Sequence, residues 1–362
     1  MKKILPTLEY FLVVVACNVL LIFSFSCNLL TGPHHGGGSD STSHTFIWAI
    51  DSIGTQPSVL YNVWGTDINN VYAVGIVILS YSPYAYTAIM RWDGTKWSSS
   101  NYLDGVLFGI YGFGTDDFWV VGEVPVYNDN YALISHWDGK SWTTWKLQQY
   151  ALLQSVWGTS SSNLYAVGWG GLILKYDGTT WTQEQSGTTM NLHSVWGLDD
   201  SHIYAAGNQD STGEGVLLES DGISWKTVAK GGNESDTTLY GGFHGVWSNT
   251  LSKIYVVGDL CYEGTPGNWR LSNIPNNAPT ENFYYLAEML AVRGNSSANN
   301  VFICGSHDLI IHWNANSWHI YNQFFDKSKQ SNLNGIWIKD NSVFIVGYEN
   351  GENQAIAYRG TQ

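Results

Sequence analysis

Arginine is nearly missing from this chain. Its 362 residues hold only Arg91, Arg270, Arg293 and Arg359, and Lys and Arg together number 16 against 30 acids. Charged residues make up 13%, well below the roughly 25% of ordinary soluble domains. A net charge of −14 with no basic stripe excludes nucleic acid and an anionic lipid surface as partners of the folded body. The four cysteines (Cys17, Cys27, Cys261, Cys304) are too few and too scattered for a zinc site. Cys304 falls within a strand pattern and reads as a buried thiol, while Cys261 reads as a loop residue. An exported compartment would allow a disulfide between them, although no spacing requires one. There is no phosphate-binding glycine loop and no Ser-His-Asp signature, so neither a cofactor nor a metal is expected.

The one long apolar run is at the N-terminus. Lys2 and Lys3 precede an almost wholly apolar stretch from Phe11 to Phe25, and a loose polar stretch runs from Gly32 to Ser43. Three readings compete. A lipoprotein signal would be cut before Cys27, after Ser24-Phe25-Ser26, with lipid attached to the Cys27 thiol. Cys17, after Val14-Val15-Ala16, fits the lipobox better but lies inside the apolar run. An uncleaved helix over Tyr10 to Leu30 is long enough to span a bilayer. All three export the remainder of the chain. The preferred division is a signal peptide over 1–26, a lipid-anchored linker over 27–44 and a folded domain over 45–362, held at the outer membrane or cell surface.

What the chain has in abundance is aromatic residues and glycine: 18 Trp, 22 Tyr and 39 Gly. They recur in a fixed phrase. The clearest copy is Ser155-Val156-Trp157-Gly158, then Leu164-Tyr165-Ala166-Val167-Gly168, then Leu172-Ile173-Leu174-Lys175-Tyr176-Asp177-Gly178 and Trp181. The VWG position falls at Trp64, Tyr111, Trp157, Trp196, Trp247, Arg293 and Trp337, spaced by 39 to 51 residues. That period fits one four-stranded propeller blade per repeat. Runs such as Val71–Gly75 and Ile254–Gly258 are aromatic and β-branched, with glycine as a stop. Asp93-Gly94, Asp138-Gly139, Asp177-Gly178 and Asp221-Gly222 mark tight hairpins between third and fourth strands, each followed by a Trp expected to pack between blades.

The last copy stops before its fourth strand, and Thr45–Ile50 supplies a spare one with Trp48 in the Trp181 role. The N-terminal strand should therefore close the ring and hide two edges. The fold expected is all-β, a seven-bladed β-propeller with blades near 61–105, 107–149, 152–187, 192–234, 243–283, 288–323 and 333–362 plus 45–54. The fifth copy is irregular over Asp259–Asn282, with Trp269-Arg270-Leu271 as its expected third strand. Six blades with an insertion is the alternative.

These residues resemble a type of bacterial exported propeller, often lipoproteins, built on VWG, VYAVG and DGxxW repeats. A more distant resemblance connects them to Asp-box sialidase-type and tectonin-like propellers. A sialidase-like site implies three arginines converging on one carboxylate, and the four arginines here do not occupy equivalent positions. Loop acids (Glu123, Asp129, Asp210, Glu214, Asp259, Glu263, Glu281, Glu288) leave a glycosidase or lyase open as the alternative function, but no spacing pairs any two. His136 and His312 share a third-strand position with Arg91, Lys175 and Glu219 and read as an exposed polar face.

The two longer connections of each repeat emerge on one face by propeller topology. That long-loop face is the expected recognition surface, with Tyr84, Tyr86, Tyr127, Tyr131, Trp169, Tyr262, Trp269, Tyr284, Tyr285 and Arg293 as candidates. Tyr and Trp among Asn, Asp and Ser suit stacking on sugars or gripping a protein. The expectation is a monomeric binding module for carbohydrate or protein, with a scaffold subunit as a further alternative.

Overall fold

Seven four-stranded antiparallel sheets follow one another along the chain, one per repeat. The computed structural model describes residues 43–81, 84–100, 105–126, 129–150, 152–232, 239–275, 287–349 and 354–362. Residues 1–42, on which the signal-peptide and lipidation expectations at Cys17 and Cys27 fall, lie outside them. The first strands of the blades are Thr55–Asp67, Val106–Gly114, Leu153–Ser160, Asn191–Asp199, Phe243–Thr250, Met289–Gly294 and Asn332–Lys339. Each adjoins the next, and the last returns to the first, so they form the inner wall of a ring. The seventh sheet takes its outermost strand, Ile47–Ile53, from the start of the domain, paired with Gln354–Thr361. This is a seven-bladed β-propeller closed by its N-terminal strand.

The repeated phrase now has physical reasons. Second strands such as Asn163–Gly168 and Val301–Gly305 are buried almost throughout, because blades cover both of their faces. They therefore read as continuous apolar runs rather than alternating ones. The glycine expected as a stop ends these two strands but lies inside others, such as Ser342–Glu349 and Asn70–Tyr81, and it is forced by close approach. A Cβ on Gly168 would sit 1.9 Å from the Leu152 carbonyl oxygen, and one on Gly347 1.9 Å from that of Asn332. At the outer hairpins Gly178 takes φ 92°, while the Asp177 carboxylate accepts the backbone N–H of Thr179 and Thr180 at 2.8 Å each. The Thr179 hydroxyl, which donates to the same carboxylate at 2.7 Å, and these backbone bonds hold the Asp177 carboxyl well below its usual range. In the sixth blade Asn314 accepts from Asn316 and Ser317 in the same way, and Ala315 takes the positive φ.

In five blades the Trp at the hairpin position packs across the seam onto the second-strand aromatic of the preceding blade, while Trp142 meets Phe118 of its own blade. Trp181 meets Trp119 at 5.8 Å, Trp225 meets Tyr165 at 5.9 Å, and Trp48 meets Phe302 at 6.3 Å. The third-strand residue opposite that aromatic is polar in every blade: Arg91, His136, Lys175, Glu219, Glu263, His312 and Arg359. Strand alternation alone makes this an exposed face, and the structure corrects that reading. His136 stacks on Trp119 at 4.1 Å, and His312 is fully buried on Phe302 at 4.3 Å. Lys175 lies 5.2 Å over Tyr165, and Glu219 accepts from the Tyr204 hydroxyl at 3.0 Å. A face that looks solvated in one blade is covered by the next.

The fifth blade also departs from expectation. Its third strand is Cys261–Thr265 and its fourth is Asn268–Leu271, so Trp269 holds the hairpin-Trp position rather than a third-strand one. The third strand starts almost directly after Gly258, and the turn uses Pro266-Gly267, with Gly267 at φ 80°, in place of Asp-Gly. Cys261 is therefore a strand residue. Cys261 and Cys304 are both buried free thiols, and burial pushes the Cys261 thiol up to about 12. Neither should react with a disulfide reagent at pH 8 until the domain unfolds. A fast native-state thiol titre would contradict the burial.

Candidate functional site

The first strands begin with a shared pattern: a buried apolar residue, a variable residue, a small residue, then the V-W-G phrase. The apolar residue anchors the strand in the seam; Leu60, Leu107, Leu153, Leu192, Phe243 and Leu333 are all fully buried. The next residue is skipped by the ladder in every blade, the extra residue of a β-bulge, and the bulge aims its side chain toward the axis of the ring. Around the ring that position is Tyr61, Phe108, Gln154, His193, His244, Leu290 and Asn334, which together with Asn62 line one cavity. All seven are half-buried. The cavity lies at the end of the channel where second strands finish, which is the long-loop face.

The ring has two chemically distinct arcs. Tyr61 and Phe108, from adjacent blades, have ring centroids 4.7 Å apart. His193 and His244 stack at 4.8 Å with their planes 30° apart. The Asn208 amide bridges them, with Oδ1 2.9 Å from His193 Nε2 and Nδ2 3.2 Å from His244 Nε2. Glu288 Oε1 lies 2.6 Å from His244 Nε2. This contact holds the Glu288 carboxyl below its ordinary range, while burial and the neighbouring imidazole push His193 down. The mouth thus presents an aromatic wall beside a polar wall of imidazole and amide groups. Among the described residues no cluster of three or more His, Cys, Asp or Glu is arranged to hold a metal ion.

Deeper in the channel the small residues include Asn62, Gly109, Ser155, Ser194, Gly245, Ala291 and Gly335. Neighbouring strands crowd here: a Cβ on Gly335 would lie 2.7 Å from the Asn62 Cα. Beyond them is a cavity of about 220 Å³ lined by Trp64, Tyr111, Trp196, Arg293 and Trp337 among others.

Sequence reasoning chose a different set of residues, and the structure separates them. Trp169 is exposed (48%) in a single 3-10 turn, Trp169–Gly171. Tyr131 is half-buried near the start of its third strand. Tyr262 is no surface residue: it is buried, and its hydroxyl accepts from the Tyr240 backbone N–H at 2.9 Å. Trp269 packs into the seam cluster containing Tyr204. Arg293 lines the channel rather than a loop. Tyr127, Tyr284, Tyr285 and the side chains of Tyr84 and Tyr86 lie outside the described residues. Several loop acids have structural partners: Glu263 pairs with Arg270 at 2.7 Å and Lys253 at 3.1 Å, and Asp259 accepts from Gly242 N–H. The variable ring went unread, although a signal existed. Within a repeat that is otherwise so constant, the residue two before the valine of VWG changes chemical class in nearly every blade.

No family model and no curated protein matches the chain. Solved structures do. A structure described as YCF48 bound to D1 peptide superposes with TM-score 0.61 at 15% identity, covering 89% of this chain and 97% of that one. A catalytically inactive virginiamycin B lyase from Staphylococcus aureus with quinupristin gives TM-score 0.62 at 10% identity, covering 88% and 100%. YCF48 from Cyanidioschyzon merolae gives 0.57 at 12%, covering 86% and 98%. At these identities the likeness establishes the propeller fold alone.

Proposed function

We propose that this propeller is a non-catalytic recognition module, exported and lipid-anchored through Cys27, that grips a protein partner at the long-loop mouth of its channel. The observation that carries this reading is the variable ring. Seven positions that the repeat leaves free converge on one rim, while the residues around them are fixed by packing. An aromatic pair facing an imidazole-amide wall suits a protein segment with both apolar and polar side chains. The YCF48 structure with a bound peptide gives the fold a precedent for such a role.

Peptides selected from a display library on the purified chain should bind at least about tenfold more weakly to Tyr61→Ala and His193→Ala, the loss of a hot-spot side chain. Ile223→Ser, in an exposed outer turn of the other face, should leave them unchanged. Equal binding by all the variants would defeat this reading.

One observation favours carbohydrate as a second reading. Trp169 makes no ring contact among the described residues, and the next residue, Gly170, lines an open groove with Gln183, Gln185, Ser186, Thr188 and Gln209. A bare indole beside amides and hydroxyls suits sugar stacking. On a glycan array, binding that is lost in Trp169→Ala and kept in Tyr61→Ala would support it. Glycan binding equal in Trp169→Ala and the parent would remove Trp169 from any such site.

A further inference from the structure

We propose that the interior of the channel binds a small carboxylate with a compact apolar body, taking Arg293 as its counter-ion. This site lies deeper than the rim and does not depend on the rim's role.

The VWG position is Trp in five blades and departs from it twice, at Tyr111 and Arg293. The ring brings the two exceptions to one indole. The Arg293 guanidinium lies 4.8 Å from the Trp196 ring centroid, and the Tyr111 ring meets the same indole edge-on at 6.2 Å. Arg293 Nη1 donates to the carbonyl oxygens of Val246 (3.1 Å) and Val292 (2.8 Å). Its Nε and Nη2 have no protein partner among the described residues, and Arg293 lines the cavity.

The missing acid is the telling point. Arg359 pairs with Asp51 at 2.6 Å and Arg270 with Glu263 at 2.7 Å. Among the described residues no carboxylate pairs with Arg293, in a chain whose acids outnumber its bases by 30 to 16. A half-buried charge without a counter-ion is costly, and a core built only for stability would keep the Trp of the other blades. Burial depresses Arg293 to about 10, which leaves it cationic at neutral pH. A guanidinium edge with two free donors matches the two oxygens of a carboxylate. Trp64, Trp196, Trp337 and Tyr111 supply apolar walls that a bare inorganic anion would not use. The cavity shares Asn62, Ser155, Arg293 and Ile336 with the space under the rim, so the two are continuous.

The test uses the whole purified chain, with benzoate and its neutral isostere benzamide as probes, read by calorimetry and by quenching of the channel tryptophans. Benzoate should saturate below about 10 mM, the range of a weak single-site complex. Benzamide should bind about 10- to 100-fold more weakly, the value of one charge-assisted pair. Arg293→Gln keeps the cavity open and removes the charge, so it should lose benzoate by the same factor without lowering the melting temperature. Arg293→Lys should retain part of the binding. Absence of saturable benzoate binding, equal binding of benzamide, displacement by phosphate as strong as by benzoate, or full benzoate binding by Arg293→Gln would each overturn the proposal. A drop in melting temperature for Arg293→Gln together with no benzoate binding by the parent would make Arg293 a structural cap of the two carbonyls.

Discussion

A chain that starts at Thr55 should aggregate rather than fold. Its missing strand, Ile47–Ile53, is the outer strand of the seventh blade, matched residue by residue from Ile47↔Thr361 to Ile53↔Ala355. Three large side chains go with that segment. Phe46 is buried against Phe302 at 5.2 Å, Trp48 packs on Tyr321 at 5.2 Å and Phe324 at 5.4 Å, and Ile53 is buried in the first-blade seam. Truncating one such core residue costs about 3–5 kcal/mol. Losing all three approaches the about 5–15 kcal/mol that stabilises a whole domain. Asp51 goes too, and it ties two blades together by accepting from Arg359 (2.6 Å) and from the Trp97 indole N–H (3.1 Å). The open edge of Gln354–Thr361 would then be free to pair with another chain. Size-exclusion chromatography and circular dichroism of the 55–362 fragment should show multimers without a cooperative melt. A synthetic 43–54 peptide should restore soluble monomer in trans. A fragment that melts cooperatively as a monomer without the peptide would show that closure is dispensable.

Acid should loosen the same closure. His44, just before the closing strand, and His312, on the third strand of blade six, contact each other Nδ1 to Nδ1 at 2.9 Å. Their neighbours fix the protons. His312 Nε2 donates to the Asn300 side-chain oxygen at 2.9 Å, which leaves its Nδ1 as an acceptor. His44 Nδ1–H fills that acceptor, and His44 Nε2 takes the Ser317 hydroxyl proton at 3.0 Å. The chain of hydrogen bonds requires a neutral His312, whose Nδ1 must accept from His44. Burial, with the neighbouring histidines, lowers His44 to about 4 and His312 to about 3.

Above pH 6.5 neither the folded nor the unfolded chain carries these protons, and the cluster contributes fully. As pH falls below 6.5, the unfolded chain takes up protons that the folded one refuses. Stability therefore drops as the pH falls from 6.5 toward about 3. Melting temperatures at pH 7, 5.5 and 4 should fall in that order, and His312→Gln should flatten the dependence while lowering the pH 7 value. An unchanged pH profile in His312→Gln would remove the cluster from the account.

Much of the scaffold was legible because its causes are local. The glycine of each second-strand phrase answers to one neighbouring carbonyl, and Asp-Gly to one turn. The unpaired strand with Trp48 at the N-terminus matched the strand missing at the other end. The fifth blade was misread because its hairpin uses Pro266-Gly267, and a reader counting from Asp-Gly passes over the third strand at Cys261. His312 was misread because alternation along one strand says which face a side chain takes, not whether another blade covers that face. Arg293 was visible as an exception to the repeat, but its placement in the channel was not.

By itself, then, the sequence determined the unit, its number and the way the ring is closed, since all three rest on contacts within a repeat or between adjacent ones. Only the tertiary structure decided which variable residues meet. Tyr61 and Asn334, nearly a whole domain apart in the chain, share one rim, and Tyr111 and Arg293, four repeats apart, touch the same indole. The reason is geometric: closing the ring brings the same strand position of every blade to one axis, and no local pattern encodes a contact made through an axis.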